Sequence, residues 1–171
     1  MYDLYECNED DSSRFILGKN GLRKIFVVGL NPSTANREQS DITVAKVERV
    51  ASDNGFDGFV MTNLYPLRST NPKNLPQKHK QSLSGQNIES IIEVAATEKQ
   101  PTFWAAWGSD ITLRSYLLES LKNLKFAVER INGSWVQYGE LTKSGHPRHP
   151  SRISYQWCFK TFLITHNPQL I

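Results

Sequence analysis

Several features that define large protein classes are scarce or absent in this sequence. Cys7 and Cys158 are the only two cysteines among 171 residues, and they stand far apart. Two such thiols form no disulfide framework and cannot supply the ligands of an iron–sulfur cluster. No run of about 18 apolar residues occurs that could span a bilayer. The acidic N-terminus lacks the apolar core of a signal peptide, so we expect a cytoplasmic protein that does not enter a membrane.

Neither sign of charge predominates, because 20 basic and 17 acidic residues give a net charge of only +3. A balance this mild permits contact with nucleic acid but does not argue for it. Basic residues do concentrate in two proline-rich segments, RSTNPKNLPQKHK (68–80) and KSGHPRHPSR (143–152). Charge alone leaves open whether these segments are solvated loops or surfaces that contact phosphates.

Strand and helix patterns alternate along the chain. Three apolar runs resemble strands covered on both faces, namely IFVVGL (25–30), GFVMTNL (58–64) and TFWAAWG (102–108). Continuously apolar strands are typical of a parallel sheet between helix layers. Helical spacing of apolar residues separates them. We therefore predict one α/β domain over residues 1–171, a three-layer sandwich with a mostly parallel central sheet of about four strands.

Local signals add detail to this fold. Asn20-Gly21 between RFILGK and RKIFVVGL predicts an N-terminal hairpin with a type I′ turn. A helix is predicted over 41–54, with Ser40 or Asp41 as its cap and Gly55 just after its end. KFAVERI (125–131) and SWVQYGEL (134–141) are further strand candidates, while residues 155–163 fit either a helix or a strand.

Polar residues collect where the predicted parallel strands end, which is where ligands bind in such sheets. Asn31 follows the first strand, which Pro32 terminates, although this segment also fits an ordinary turn. His146 and His149 stand between prolines in a later loop. Imidazole can stabilise a developing anion near neutral pH, although a stiff surface loop would look the same. The H-x-x-H spacing has no CxxC partner, so we expect no zinc and no other cofactor.

Three segments resemble, in order and approximate spacing, motifs of the uracil-DNA glycosylase superfamily. They are VVGLNPST after the first strand, VMTNLYPLR at the end of the second strand, and HPS at His149–Ser151. Within that superfamily, NPSTA, the downstream Asp41-x-Thr43 and AWG resemble an uncharacterised bacterial and phage family, a domain of unknown function.

The resemblance implies a uracil-DNA glycosylase-like fold and a hydrolase that excises uracil or a modified base from DNA. Asn31 would orient the attacking water, and Asn63 would read the amide edge of an extruded base. His149 would donate a hydrogen bond to the pyrimidine O2 as negative charge develops there. Ser33 and Tyr65 are further candidates for contacting the base. The candidates for contacting the nucleic-acid backbone are Arg68, Arg148, Ser151 and Arg152.

Departures from the superfamily pattern leave other functions open. Asn31 stands where the most active branch carries an aspartate, and an amide can only orient water. Asp41 either supplies the missing carboxylate or caps a helix. Tyr65 either stacks on a base or packs within its loop. The alternative reading is therefore a non-catalytic or differently catalytic module that binds nucleotides or nucleic acid, and a plain interaction domain is a third.

Overall fold

A computed structural model describes residues 1–164, so residues 165–171 of the predicted domain lie outside its described part. The strands are β1 (Leu4–Cys7), β2 (Arg14–Lys19), β3 (Lys24–Gly29), β4 (Gly58–Asn63), β5 (Thr102–Ala105), β6 (Ser134–Tyr138) and β7 (Phe159–Thr161). The helices are α1 (Ile42–Asp53), α2 (Gln81–Ala95) and α3 (Ser115–Arg130). Short 3-10 turns cover Pro72–Asn74, Ser109–Leu113 and Pro150–Arg152.

The described strands form one sheet in the order β1-β2-β4-β3-β5-β6-β7. The α/β class is confirmed, but the expectation of about four mostly parallel strands is wrong. The sheet has seven strands, and antiparallel pairs at its sides are as many as the parallel pairs β4-β3, β3-β5 and β5-β6. Sequence patterns reveal the central strands because both of their faces are buried. The two edge strands, β1 and β7, have only four and three residues and are partly exposed, so their patterns are weaker.

Helices cover both faces of this sheet and make three layers. α1 packs on one face, where Val44 and Val47 meet Val27 of β3. α2 and α3 pack on the opposite face, where Leu121 joins a cluster with Phe26. Successive β3 residues thus serve opposite cores, as the alternation of a strand requires. Each fully buried side chain of this size contributes about 1.5–3 kcal/mol.

The predicted hairpin across Asn20-Gly21 is wrong, because β4 lies between β2 and β3. Neither Asn20 nor Gly21 has the positive φ that a type I′ turn needs. Gly21 instead permits a close approach of the chain, since a Cβ there would lie 2.7 Å from Gly58 N. The hairpin at the N-terminus joins β1 to β2. Its partner strand was missed because β1 is only four residues long.

Three further predictions had different outcomes. The helix over 41–54 is confirmed as α1: the Asp41 carboxylate accepts a hydrogen bond from Val44 N at 2.9 Å, and Gly55 follows with φ +76°. The strand predicted over 125–131 is wrong, because these residues belong to the end of α3 and the turn after it. The open alternative over 155–163 resolves as the short strand β7. Among the described residues, no helix is long and apolar enough to span a membrane.

Candidate functional site

A cavity of about 390 Å³ lies at the carboxyl edge of the parallel strands. Loops after β3, β4, β5 and β6 form its walls, together with the first residue of β2 and the start of α1. Its volume falls within the range of small-molecule sites, roughly 300–1,000 Å³. Its polar lining includes Arg14, Asn31, Asp41, Asp110, Arg148 and His149. The cavity therefore lies where a doubly wound sheet binds its ligands.

Asn31 is held in one orientation at the wall of this cavity. Its Nδ2 donates to Pro32 O at 3.0 Å and to Ser69 O at 2.8 Å. The loop itself continues the pairing of the strands, since Ser69 N donates to Pro32 O. Because both hydrogens of the amide nitrogen are engaged, Oδ1 remains as the acceptor for a ligand or a water molecule. Ser33, two residues further on, also borders the cavity.

His149 borders the same cavity as an uncharged hydrogen-bond donor. Its Nδ1 accepts from Ser151 N at 3.3 Å and lies 2.8 Å from Ser151 Oγ. A backbone N–H can only donate, so the neutral ring carries its proton on Nε2. Burial lowers the pKa of His149, and the nearby charge of Arg152 lowers it further, against the opposing effects of Asp41 and Asp110. The imidazole is thus mainly neutral at pH 7, and its Nε2–H has no hydrogen-bond acceptor within residues 1–164.

Gly108 brings the loop after β5 beside this imidazole. Its φ is +72°, and a Cβ there would lie 3.4 Å from His149 Cβ. The left-handed conformation favours glycine, which also leaves room next to the ring. Neighbouring Ser109 and Asp110 border the cavity and are exposed. Ser109 Oγ lies 3.2 Å from Ser144 Oγ, which links the β5 loop to the loop after β6.

Asp41 caps α1, as one of its two readings predicts, and its side chain also borders the cavity. Oδ1 accepts from Val44 N at 2.9 Å and Oδ2 from Ala35 N at 3.4 Å. Both carboxylate oxygens are therefore engaged with backbone donors. The cap accounts for the position of the side chain, and a proton-accepting role would have to compete with these hydrogen bonds.

Asn63 lies beside the cavity rather than in its lining. It ends β4 at 1% exposure, next to Gly29, where a Cβ would meet Asn63 Oδ1 at 2.7 Å and Met61 Cε at 2.8 Å. Met61 does border the cavity. Neither Oδ1 nor Nδ2 of Asn63 has a hydrogen-bond partner among residues 1–164. An unpaired buried amide costs about 1–3 kcal/mol, so its retention calls for an explanation.

Tyr65 belongs to the core on the α2–α3 face and not to the cavity. Its ring packs against Tyr116 with centroids 5.0 Å apart, and its hydroxyl accepts from Lys80 N at 3.2 Å. The aromatic residue that borders the cavity is Trp107, which is 1% exposed and packs on Trp135. Of the two readings of Tyr65, its position favours loop packing over base stacking.

The predicted backbone-binding residues separate into two groups. Arg68 does not line the cavity: its guanidinium pairs with Asp11 at 2.9 Å and donates to Ser33 O and Ala35 O. Arg148 lines the cavity but donates its Nε to Glu140 O at 2.8 Å.

Ser151 and Arg152 lie at the exposed rim of the cavity. The Ser151 carbonyl accepts from Lys46 Nζ at 2.9 Å, which joins this loop to α1. The Arg152 side chain is exposed, and its guanidinium makes no hydrogen bond to any of residues 1–164. Arg152 is therefore the predicted arginine that is best placed to meet a ligand from solvent.

Arg14 borders the cavity and was not identified from the sequence. It is only 1% exposed; Nη1 donates to Ala35 O at 2.9 Å, while Nε has no partner in the described chain. Burial lowers the pKa of Arg14 to about 10, and the neighbouring Arg68 acts in the same direction while Asp41 opposes it. The sequence does place Arg14 at the start of the apolar strand RFILGK, which could have drawn attention to it. An arginine buried without an ionic partner is costly, and its retention suggests a function.

The buried His146 is not part of a metal site. Among residues 1–164, no three His, Cys, Asp or Glu side chains lie close enough together to hold an ion. Burial lowers the pKa of His146, and its Nδ1 has no partner in the same part of the chain.

A family model described as "Protein of unknown function (DUF1643)" matches residues 14–151. The matched range includes every residue named above at the cavity except Arg152. The expectation of an uncharacterised domain family is confirmed at this level, whereas the finer resemblance to uracil-DNA glycosylases stays a prediction. No curated protein and no solved structure matches the chain.

Proposed function

Because the chain belongs to the DUF1643 family, whose description names no activity, we propose its function from the cavity: a uracil-DNA glycosylase-like hydrolase that excises uracil or a modified base from DNA. One observation carries the proposal. His149 offers an uncharged Nε2–H and Asn31 offers its Oδ1 at the wall of a single cavity, and hydrogen bonds to the protein fix both groups.

The chemistry requires a donor where negative charge develops. When the bond from the sugar C1′ to the base nitrogen breaks, its electron pair stays on the base, and a pyrimidine delocalises that charge onto O2. A neutral Nε2–H stabilises this oxygen without losing its proton, and a fixed donor needs no reorganisation. Water held by Asn31 Oδ1 then adds to the cationic sugar carbon. The water loses one proton, and the released base gains one.

Asn63 supplies the recognition element in this proposal. Its unpaired amide has both a donor and an acceptor, which matches the imide edge of uracil. Asn63 Oδ1 and Met61 Cε both lie beside Gly29, and Met61 borders the cavity. Its thioether side chain is flexible enough to move and let a base reach the amide. Binding of a base would satisfy the amide and relieve its unfavourable burial.

The test is excision from labelled duplexes that carry uracil, a mismatched base or a modified base, with abasic sites detected by alkaline cleavage. We expect product from the wild-type protein and from the control His79→Ala. His79 packs against Tyr65 and Tyr116 on the α2–α3 face of the sheet and does not line the cavity. His149→Ala should lower the rate about 10²–10³-fold, the usual cost of losing one such donor. Absence of product, while a known glycosylase cleaves the same duplexes, would reject the proposal. Full activity of His149→Ala would reject the assigned role.

A second candidate is a module that binds nucleotides without hydrolysing them. Asn31 cannot accept a proton usefully, and both oxygens of Asp41 are held by backbone N–H groups. Nucleosides and nucleotides that raise the melting temperature, with no abasic product from any duplex, would favour this candidate.

A further inference from the structure

The cavity has a second polar region around Arg14. Arg14 begins β2, whereas His149 follows β6, and β4, β3 and β5 lie between these two strands. His149 lies beside Gly108 of the β5 loop, while Arg14 Nη1 lies against Ala35 of the β3 loop, so the two groups border the cavity from different loops. A ligand that fills the cavity can therefore meet a neutral donor at His149 and a cation at Arg14.

Arg14 has no ionic partner of its own within the described chain. The ion pairs there do not include it, and the one hydrogen bond of its guanidinium in this part of the chain, to Ala35 O, has a neutral acceptor. Asp41 is the cavity carboxylate that favours its charge, but both oxygens of Asp41 are occupied by backbone donors. A buried guanidinium in this state is expensive unless an anion joins it.

A second guanidinium, that of Arg68, lies close to Arg14. Arg68 Nη1 also donates to Ala35 O at 2.9 Å, so two arginines share one carbonyl oxygen. Arg68 is neutralised by its ion pair with Asp11, but Arg14 is not. Hydroxyl groups of Ser33 and Thr43 border the same cavity and can donate to an anion.

We infer that Arg14 is the anchor of a phosphate subsite, so that the ligand of the cavity is a phosphorylated nucleoside, free or within a strand, rather than a free base or nucleoside. The base-binding part of this inference rests on the proposed function. The phosphate subsite rests on Arg14 and its surroundings alone.

The first experiment uses the wild-type protein and calorimetry with 2′-deoxyuridine, its 5′- and 3′-monophosphates, inorganic phosphate, and a single-stranded oligonucleotide with one uracil. At least one monophosphate or the oligonucleotide should bind about tenfold or more tightly than the nucleoside, since hydrogen bonds from a guanidinium to phosphate are strong. Inorganic phosphate should compete with it. The preferred probe tells whether the phosphate comes from a free nucleotide or a strand. Equal affinities for nucleoside and phosphorylated probes would overturn the inference.

The second experiment compares Arg14→Met and Arg14→Lys with Arg130→Met, an exposed arginine at the end of α3. Arg14→Met should remove the roughly tenfold advantage of the phosphate and leave the affinity for the nucleoside unchanged. Arg14→Lys should keep part of the advantage, and Arg130→Met all of it. Equal losses for nucleoside and phosphorylated probe would mean a structural role and overturn the inference. If Arg14→Met does not fold, the lysine variant decides on the same criterion.

The outcome is separable from that of the proposed function. A phosphate advantage that depends on Arg14, with no abasic product from any duplex, supports the subsite and rejects the hydrolase. Excision of a base without any phosphate advantage supports the hydrolase and rejects the subsite.

Discussion

Replacing Asn31 with aspartate tests whether the hydrogen bonds of its amide nitrogen fix the loop after β3. The superfamily pattern suggests that an aspartate here would be a better catalyst. The structure argues the opposite for this chain, because Nδ2 donates to two carbonyl oxygens, those of Pro32 and Ser69. An ionised carboxylate has no hydrogen to donate and would place negative charge against both oxygens.

The magnitude follows from these contacts. Each lost hydrogen bond costs about 0.5–1.5 kcal/mol, and the two carbonyls left facing a carboxylate raise the total for Asn31→Asp to about 2–4 kcal/mol. For a chain of this size, such a loss lowers the melting temperature by roughly 5–15 °C. The effect should shrink at low pH, where the new carboxyl group is protonated and regains one donor.

The assay is thermal and urea unfolding followed by circular dichroism, with Asn123→Asp on the exposed surface of α3 as the matched control. The control should melt close to the wild-type protein. If Asn31→Asp also melts there, or excises bases faster without loss of stability, the role given to the amide nitrogen is refuted.

Three further results are expected. Asp41→Ala should lower the free energy of unfolding by about 1 kcal/mol through loss of the α1 cap, while Asp41→Asn keeps most of it; equal urea midpoints for the two variants would contradict this. Burial lowers the pKa of the folded His149 below its unfolded value of about 6.5, so the free energy of unfolding should fall as the pH drops from 7 through 6.5 towards the folded pKa. His149→Gln should flatten this dependence in urea titrations at several pH values. Gly139→Ala should lower the free energy of unfolding more than Gly55→Ala. Both glycines have a positive φ, but a Cβ on Gly139 (φ +72°) would lie 2.3 Å from Trp157, whereas a Cβ on Gly55 makes no close contact. The difference should be about 1–3 kcal/mol, and equal melting temperatures would disprove the clash.

The central parallel strands and α1 could be predicted from sequence because each carries a complete local signal. β3 and β4 are apolar on both faces, and α1 has a capping aspartate, apolar 3–4 spacing and a terminal glycine. The strand predicted over 125–131 is wrong because the segment shows only the end of a longer pattern. Val128 continues a helical stripe that begins with Leu121 and Leu124, and both of these residues precede the segment.

Long-range placement could not be predicted in the same way. Asn20-Gly21 is a strong hairpin signal, but the position of β2 depends on which strand edge pairs with it, and β4 occupies the place next to β2. Asn31 and His149 meet at one cavity because their strands run parallel, which the sequence did indicate. The burial of Arg14 depends on contacts with residues after β3, such as its hydrogen bond to Ala35 O, and such contacts are not visible in local sequence.

The most direct test of the account is ¹⁵N NMR of the histidine rings during titration with uracil and with 2′-deoxyuridine 5′-monophosphate. We predict that free His149 is neutral at pH 7 with its proton on Nε2, and that ligand shifts the Nε2 resonance while Nδ1 keeps its hydrogen bond to Ser151. A proton on Nδ1, or a His149 ring that no nucleobase ligand perturbs, would contradict the assignment of this cavity.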